Sequence, residues 1–310
     1  MEYVLGILVL SAINLIAVLG LSILTGFTGL FSFGHAGFMA IGAYVAAIFT
    51  ARLHLPFEVA LIAAGIAAGI VSVALGRLTL KLKGDYFCIA TMGFGEAVRL
   101  LLNNWKWVGG ARGWESIPKF EGPQFILPFV VAALAVVFSW NLVNSRQGRN
   151  LVAVREEELA AQMSGINVLH SKMTALIVSA VLAGIAGALM ANFIGFIAPK
   201  SFNMQKSTEL IIIVIFGGLG SISGSVVGAL LLTALPEVFR AFSDWRLVFY
   251  GLAVIIIMVG RPQGLMGGIE LTPSGVRKAL AARRTRAEFA KISAADTPTD
   301  ADSPVDGGSK

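Results

Sequence analysis

His35, His54 and His170 are the side chains best suited to metal binding or proton transfer, and they stand far apart in the sequence. No Cys, Asp or Glu cluster accompanies them at ligand spacing. There is no Gly-x-Ser-x-Gly elbow for a nucleophile. Gly218-x-Gly220 does not follow a strand, as a dinucleotide fingerprint must. A Gly-x-x-x-x-Gly-Lys-Ser/Thr phosphate loop is missing as well, so nucleotide chemistry would require another chain.

Three features retain chemical content. The first is the stretch 144–172, which contains Arg155, the acidic run Glu156, Glu157 and Glu158, then Ala160, Ala161 and Gly165. Carboxylates at the start of a short helix complement its dipole, small alanines keep one face slim, and Gly165 ends it. A slim helix in a polar loop is shaped to dock into a groove on another protein. The second is Glu96 and Arg99, three residues apart and so able to pair on one helix face, with Thr91 in the same segment. Ionisable groups inside apolar segments face a protein interior or water. The third is a pair of glycine-rich interruptions, Thr28-Gly-Leu-Phe-Ser-Phe-Gly34 and Gly217-Gly-Leu-Gly-Ser-Ile-Ser-Gly224. Ser32, Gly34 and His35 lie at the first, Ser221, Ser223 and Gly224 at the second. Interrupted helices at matching places in two halves are a mark of transporters built from repeats. Freed amides there are candidates to meet a solute carboxylate.

These residues must be positioned by membrane helices. Of 310 residues, 56% are apolar and 14% charged, with mean hydropathy +0.80. Soluble domains carry about 25% charged residues, so most of this exterior must face lipid. A spanning helix needs about 20 mostly apolar residues. Such segments are expected at 4–25, 34–51, 57–80, 84–103, 124–143, 173–194 and 246–261, with 207–240 split at its glycines into two shorter helices. The fold class is therefore an all-α, polytopic bundle of eight or nine segments with two broken-helix regions. The run from Val4 to Thr25 is too long for a signal-peptide core. The lone Cys88 excludes an internal disulfide and reads as a packed thiol.

The formal charge of +6 invites a nucleic-acid reading, but its distribution argues against one. Fifteen of the 24 Lys and Arg fall in 77–83, 144–172 and the region from Arg261 onward. The positive-inside rule then puts those stretches in the cytoplasm and the N-terminus outside. Lys206 is counted with the outer loops, and Trp105, Trp107 and Trp114 read as interfacial anchors there. Residues 1–267 form the expected membrane domain. The tail 268–310 is basic over Arg277–Lys291, a stretch suited to anionic headgroups or to solvent, and low in apolar residues beyond.

Glu158-Leu-Ala-Ala161 followed by Gly165 resembles the E-A-A…G coupling loop of ABC importer permeases. Three longer blocks, 26–44, 83–96 and 148–228, and Arg261-Pro-x-Gly-Leu265 resemble LivM-type permeases of branched-chain amino acid importers. The third block includes Ala183-Gly-Ile-Ala-Gly187, Pro199-x-x-Phe202 and Phe216-Gly-Gly-Leu-Gly-Ser221. The resemblance covers about 26–268. It departs in a short N-terminus and in Leu159, where the general pattern has Ala. It implies a second, LivH-like permease, two cytoplasmic ATPase subunits that bind ATP and magnesium, and an extracytoplasmic substrate-binding protein. This chain would hold no cofactor itself. An ABC permease for urea or short amides, and an ion-coupled secondary transporter using Asp85, Glu96 or Glu209, are the competing readings.

Overall fold

The computed structural model describes residues 2–82, 84–115, 117–119, 125–238, 251–252, 255, 259–260 and 264–266. Among these the chain is helical, and its sole β feature is a two-residue bridge between Trp114 and Ile197. The helices are α1 (Glu2–Leu21), α2 (His35–Ala47), α3 (Phe57–Thr79), α4 (Asp85–Asn104), α5 (Leu127–Asn144), α6 (Arg146–Glu156), α7 (Glu158–Met163), α8 (Val168–Ile194), α9 (Met204–Gly217) and α10 (Ile222–Val238). Among the described residues four apolar stretches are long enough to cross a bilayer: Tyr3–Gly26, Phe57–Thr79, Leu127–Asn144 and Val168–Ile194. The expected segment 246–261 lies largely outside the described residues, and the tail 268–310 wholly so.

The first and eighth helices form the centre of the bundle. From Val9 onward α1 is almost wholly buried, whereas α3 and α5 keep apolar faces such as Ile62, Ile66, Ile70, Leu134 and Val137 exposed, as lipid requires. Close approach within the bundle depends on missing side chains. A Cβ on Gly42 would lie 2.1 Å from Gly184 O, and one on Gly187 would lie 2.0 Å from Met39 O. Here α2 and α8 touch backbone to backbone, the small-residue packing that replaces hydrophobic driving force in lipid.

Both glycine-rich interruptions are real breaks. After a π turn over Ser22–Gly26, α1 gives way to a non-helical stretch stitched by its own hydroxyls. Thr25 Oγ1 donates to Leu30 O and Thr28 Oγ1 to Ile23 O, each at 3.1 Å. Residue 35 then restarts the chain as α2. The second break, between α9 and α10, places Gly218 at φ 115° and Gly220 at φ 79°, where side chains are strained. These two breaks meet: a Cβ on Gly26 would sit 2.7 Å from Gly220 N, and Ser225 Oγ donates to Ser22 Oγ at 2.9 Å.

Far from that junction, Arg52 lies over the Trp107 ring at 4.2 Å and the Trp114 ring at 5.0 Å from their centroids. Its Nη2 also donates to Trp107 O at 2.7 Å. With Trp105 and Trp107 half exposed, this end presents the amphipathic rings that settle at headgroup level.

Two boundaries differ from expectation. The stretch 144–172 is not an open loop, because it holds α6, α7 and the start of α8. Asn167 moves that start back to Val168 by accepting the His170 N–H at 3.0 Å. Lys206 is not a loop cation. Asn203 Oδ1 caps α9 at the Lys206 N–H, which puts Lys206 in the first turn. Its Nζ lies 3.2 Å from both Asn14 Oδ1 and Glu209 Oε2.

Candidate functional site

The two small helices α6 and α7 form a hairpin against the start of α8. Ser145 caps α6 by accepting the Gly148 N–H at 3.3 Å. The acidic run then divides its labour. Glu156 ends α6 and pairs with Arg155. Glu157 is the N-cap of α7 and accepts the Leu159 N–H at 3.4 Å. Glu158, in the first helical turn, pairs with the buried Lys172 of α8. Gly165, at φ 80°, closes α7: its N–H bonds Gln162 O, and the Ile166 N–H reaches back to Ala161 O. That pair of bonds is a Schellman motif, which any residue with a Cβ would strain.

The alanines part company. Ala161 is 4% exposed and packs with Val154, Val168, Ala153 and Ile166 in a small core of its own. Ala160 faces outward, beside Leu159 at 67% and Met163 at 86% exposure. The expectation of one slim face shared by both alanines is therefore corrected: neighbours in sequence point about 100° apart on a helix, and only one can face out here. Open clefts of about 570 and 710 Å³ flank α7.

Arg155 joins this hairpin to the breaks. Its Nη1 donates to Gly26 O at 2.7 Å, the carbonyl that ends the π turn of the first helix. A Cβ on Gly29 would lie 3.1 Å from Arg155 Cγ, and one on Gly220 would lie 2.8 Å from Nη1. One guanidinium thus rests on glycines of both breaks.

The pathway candidates fall into two groups. Ser221, Ser223 and Gly224 stay at the junction of the breaks, where Ser221 Oγ lies 3.1 Å from Ser223 Oγ and accepts the Gly224 N–H at 3.0 Å. Ser32, Gly34, Thr91 and Glu96 gather instead where α2 meets α4, and His35, at the start of α2, turns away from them. A Cβ on Gly34 would come within 2.3 Å of Thr91 O, and Thr91 Oγ1 accepts the Phe33 N–H at 3.2 Å. His35 is fully buried between α1 and α8, its Nε2 at 3.1 Å from Ala17 O and its Nδ1 at 3.5 Å from Ser179 Oγ. Ser32 Oγ is buried and finds no hydrogen-bond partner among the described residues.

Glu96 and Arg99 do pair on one face of α4, with Arg99 Nε at 3.0 and 2.9 Å from the two carboxylate oxygens. Beside Glu96 lies a cavity of about 170 Å³ between α2, α4 and the start of α9. Phe33, Met92, Phe202, Met204 and Ser207 line it with Glu96. Phe33 and Phe202 lie in motifs that the sequence already marked, whereas Met92, Met204 and Ser207 are not singled out by the sequence. Among the described residues no group of three or more His, Cys, Asp or Glu gathers to hold a metal.

A model of the family described as "Branched-chain amino acid transport system / permease component" matches residues 3–259. The chain belongs to that family. The permease is 36% identical over 290 residues to the High-affinity branched-chain amino acid transport system permease protein LivM of Escherichia coli (strain K12), covering 83% of this chain and 68% of the relative. It is 26% identical over 297 residues to the corresponding LivH protein of Salmonella typhimurium, covering 86% and 94%. The Autoinducer 2 import system permease protein LsrC of Klebsiella pneumoniae shares 28% over 192 residues, or 58% and 55% of the two chains. No solved structure matches the permease. Similarity to both LivM and LivH, together with its long apolar helices, makes it a multi-pass membrane permease.

Proposed function

We propose that this permease forms one half of the translocation pathway of an ABC importer for branched-chain amino acids. A LivH-like permease is the other half, two cytoplasmic ATPase subunits bind ATP and magnesium, and an extracytoplasmic binding protein delivers the cargo. The chain itself catalyses no reaction. The observation that carries this reading is α7, a short helix with an exposed apolar tip, in a family of permeases and in a chain without a phosphate loop. On this reading α7, the breaks and the tail 268–310 lie on the cytoplasmic side, and the Arg52 cluster and N-terminus lie outside. Residues 1–267 are the membrane domain of this assembly. ATP binding closes the motor pair, and α7 passes that movement into the bundle.

The test is uptake of labelled leucine into vesicles holding the reconstituted complex. Accumulation only with ATP is the expected result. Accumulation by this chain alone, driven by a proton or sodium gradient, would overturn it, and labelled urea taken up in leucine's place would change the cargo.

The docking tip supplies a sharper prediction. Met163→Asp puts a charge on a side chain that touches little of its own protein, so insertion is expected to be normal. ATP-driven uptake should fall about tenfold, the effect of 1.4 kcal/mol lost at a docking surface. Ala161→Trp should instead lower the yield of folded protein, since bulk there breaks the hairpin core. Normal uptake by Met163→Asp would remove α7 from the docking surface.

A further inference from the structure

Midway along α4, the Glu96 side chain is 45% exposed and that of its partner Arg99 is 25% exposed. With α4 set in the membrane domain on the importer reading, a charge left to lipid there would cost about 2.5–3.5 kcal/mol even on insertion scales. This face of α4 therefore meets water or protein rather than acyl chains. The cavity of about 170 Å³ opens beside it. That volume holds a few waters but is well below the roughly 300–1,000 Å³ of a drug-sized site, so it suits one small solute.

Its chemistry is divided. Phe33, Met92, Phe202 and Met204 make apolar walls, and thioethers adapt to side chains of differing shape. Two of the backbone amides that border it are already engaged: Thr91 Oγ1 takes the Phe33 N–H, and Ser207 Oγ takes the Ala36 N–H at 3.0 Å. An anionic head would find those donors occupied. The Glu96 carboxylate differs, because two oxygens offer about four acceptor sites and Arg99 does not fill them all. Such a site selects an aliphatic tail carrying a cationic head.

Resting on the importer reading above, we propose that this cavity seats the cargo within the permease, the side chain against Phe33, Met92, Phe202 and Met204 and the α-ammonium on Glu96. The cargo carboxylate then points out of the mouth, which Met92 and Met204, 42% and 44% exposed, border.

The test uses the complete complex in vesicles, with Cys88→Ser removing the native thiol. Met92→Cys is labelled with N-ethylmaleimide with and without leucine. At ten times its half-saturating concentration, leucine is expected to slow labelling about tenfold by mass action. Isopentylamine, which keeps the ammonium and the branched tail, should protect as well; 4-methylpentanoate, which lacks the ammonium, should not. Protection should disappear in Glu96→Gln and return in part in Glu96→Asp. Leu78→Cys, 77% exposed on α3, serves as a control that leucine leaves unchanged. If the complex accumulates leucine with ATP while the Met92→Cys thiol labels equally fast in its presence, the cavity is not the seat, and the importer reading stands. Equal protection by 4-methylpentanoate would remove Glu96 from the proposal, and that comparison remains decisive should Glu96→Gln fail to assemble. Failure of ATP-driven leucine uptake would instead strike the importer reading itself.

Discussion

Replacing Arg155 with alanine is expected to lower ATP-driven uptake about tenfold or more while leaving insertion and assembly intact, a loss within the usual 1–3 kcal/mol of inter-site coupling. The guanidinium stands at the end of α6 and donates to Gly26 O, a helix-end carbonyl with no intrahelical partner. A hydrogen bond from a charged donor contributes about 1.5–3 kcal/mol, and the positive charge also suits a helix C-terminus. Because the same side chain lies against Gly29 with its Cγ and against Gly220 with its Nη1, a displacement of the α6–α7 hairpin reaches both breaks through one side chain. Lysine at 155 should restore part of the function, since it keeps the charge but loses the planar fork. Gly220→Ala should mimic the loss, because a Cβ there would meet Nη1 at 2.8 Å and sits at φ 79°. Uptake and ATP turnover are measured on the same vesicles. If Arg155→Ala moves as much leucine per ATP as the unmodified protein, coupling does not run through this residue.

The largest loss of stability is expected from Gly187→Val. A Cβ at 187 would stand 2.0 Å from Met39 O, and its obstacle is backbone rather than a mobile side chain. Helices α2 and α8 would have to separate, which breaks packing along a buried seam. Overfilling a core costs about 1–3 kcal/mol, and a rigid contact of this kind belongs at the upper end. The readouts are the yield of folded protein in detergent and its thermal midpoint. Gly93→Ala is the control: among the described residues a Cβ there has no neighbour within 4 Å, and no fall in midpoint is expected. An unchanged midpoint for Gly187→Val would mean that α2 and α8 do not lie this close in the membrane.

Much of the candidate site was legible before the fold. Gly165 as a helix stop, the Glu96–Arg99 pair and the two glycine breaks depend on neighbours within a few residues, and local spacing exposes them. The burial of Ala161 was not legible, because its partners Val154 and Val168 approach it only when α6, α7 and α8 fold together. Lys206 was misplaced for a related reason. Its charge argued for a loop, while the cap at Asn203 and the partners Asn14 and Glu209 hold it within α9.

The sequence by itself determined that this is a membrane bundle and where its helices break. Composition, helix length and glycine content act locally, so they can be read one segment at a time. Only the tertiary structure decided that the breaks touch, that Arg155 bridges to Gly26 across 129 residues, and that Glu96 borders a cavity shared with Phe202 and Ser207. Those relations depend on how distant segments pack, and a small-residue stripe marks a helix face without naming the helix that will lie against it.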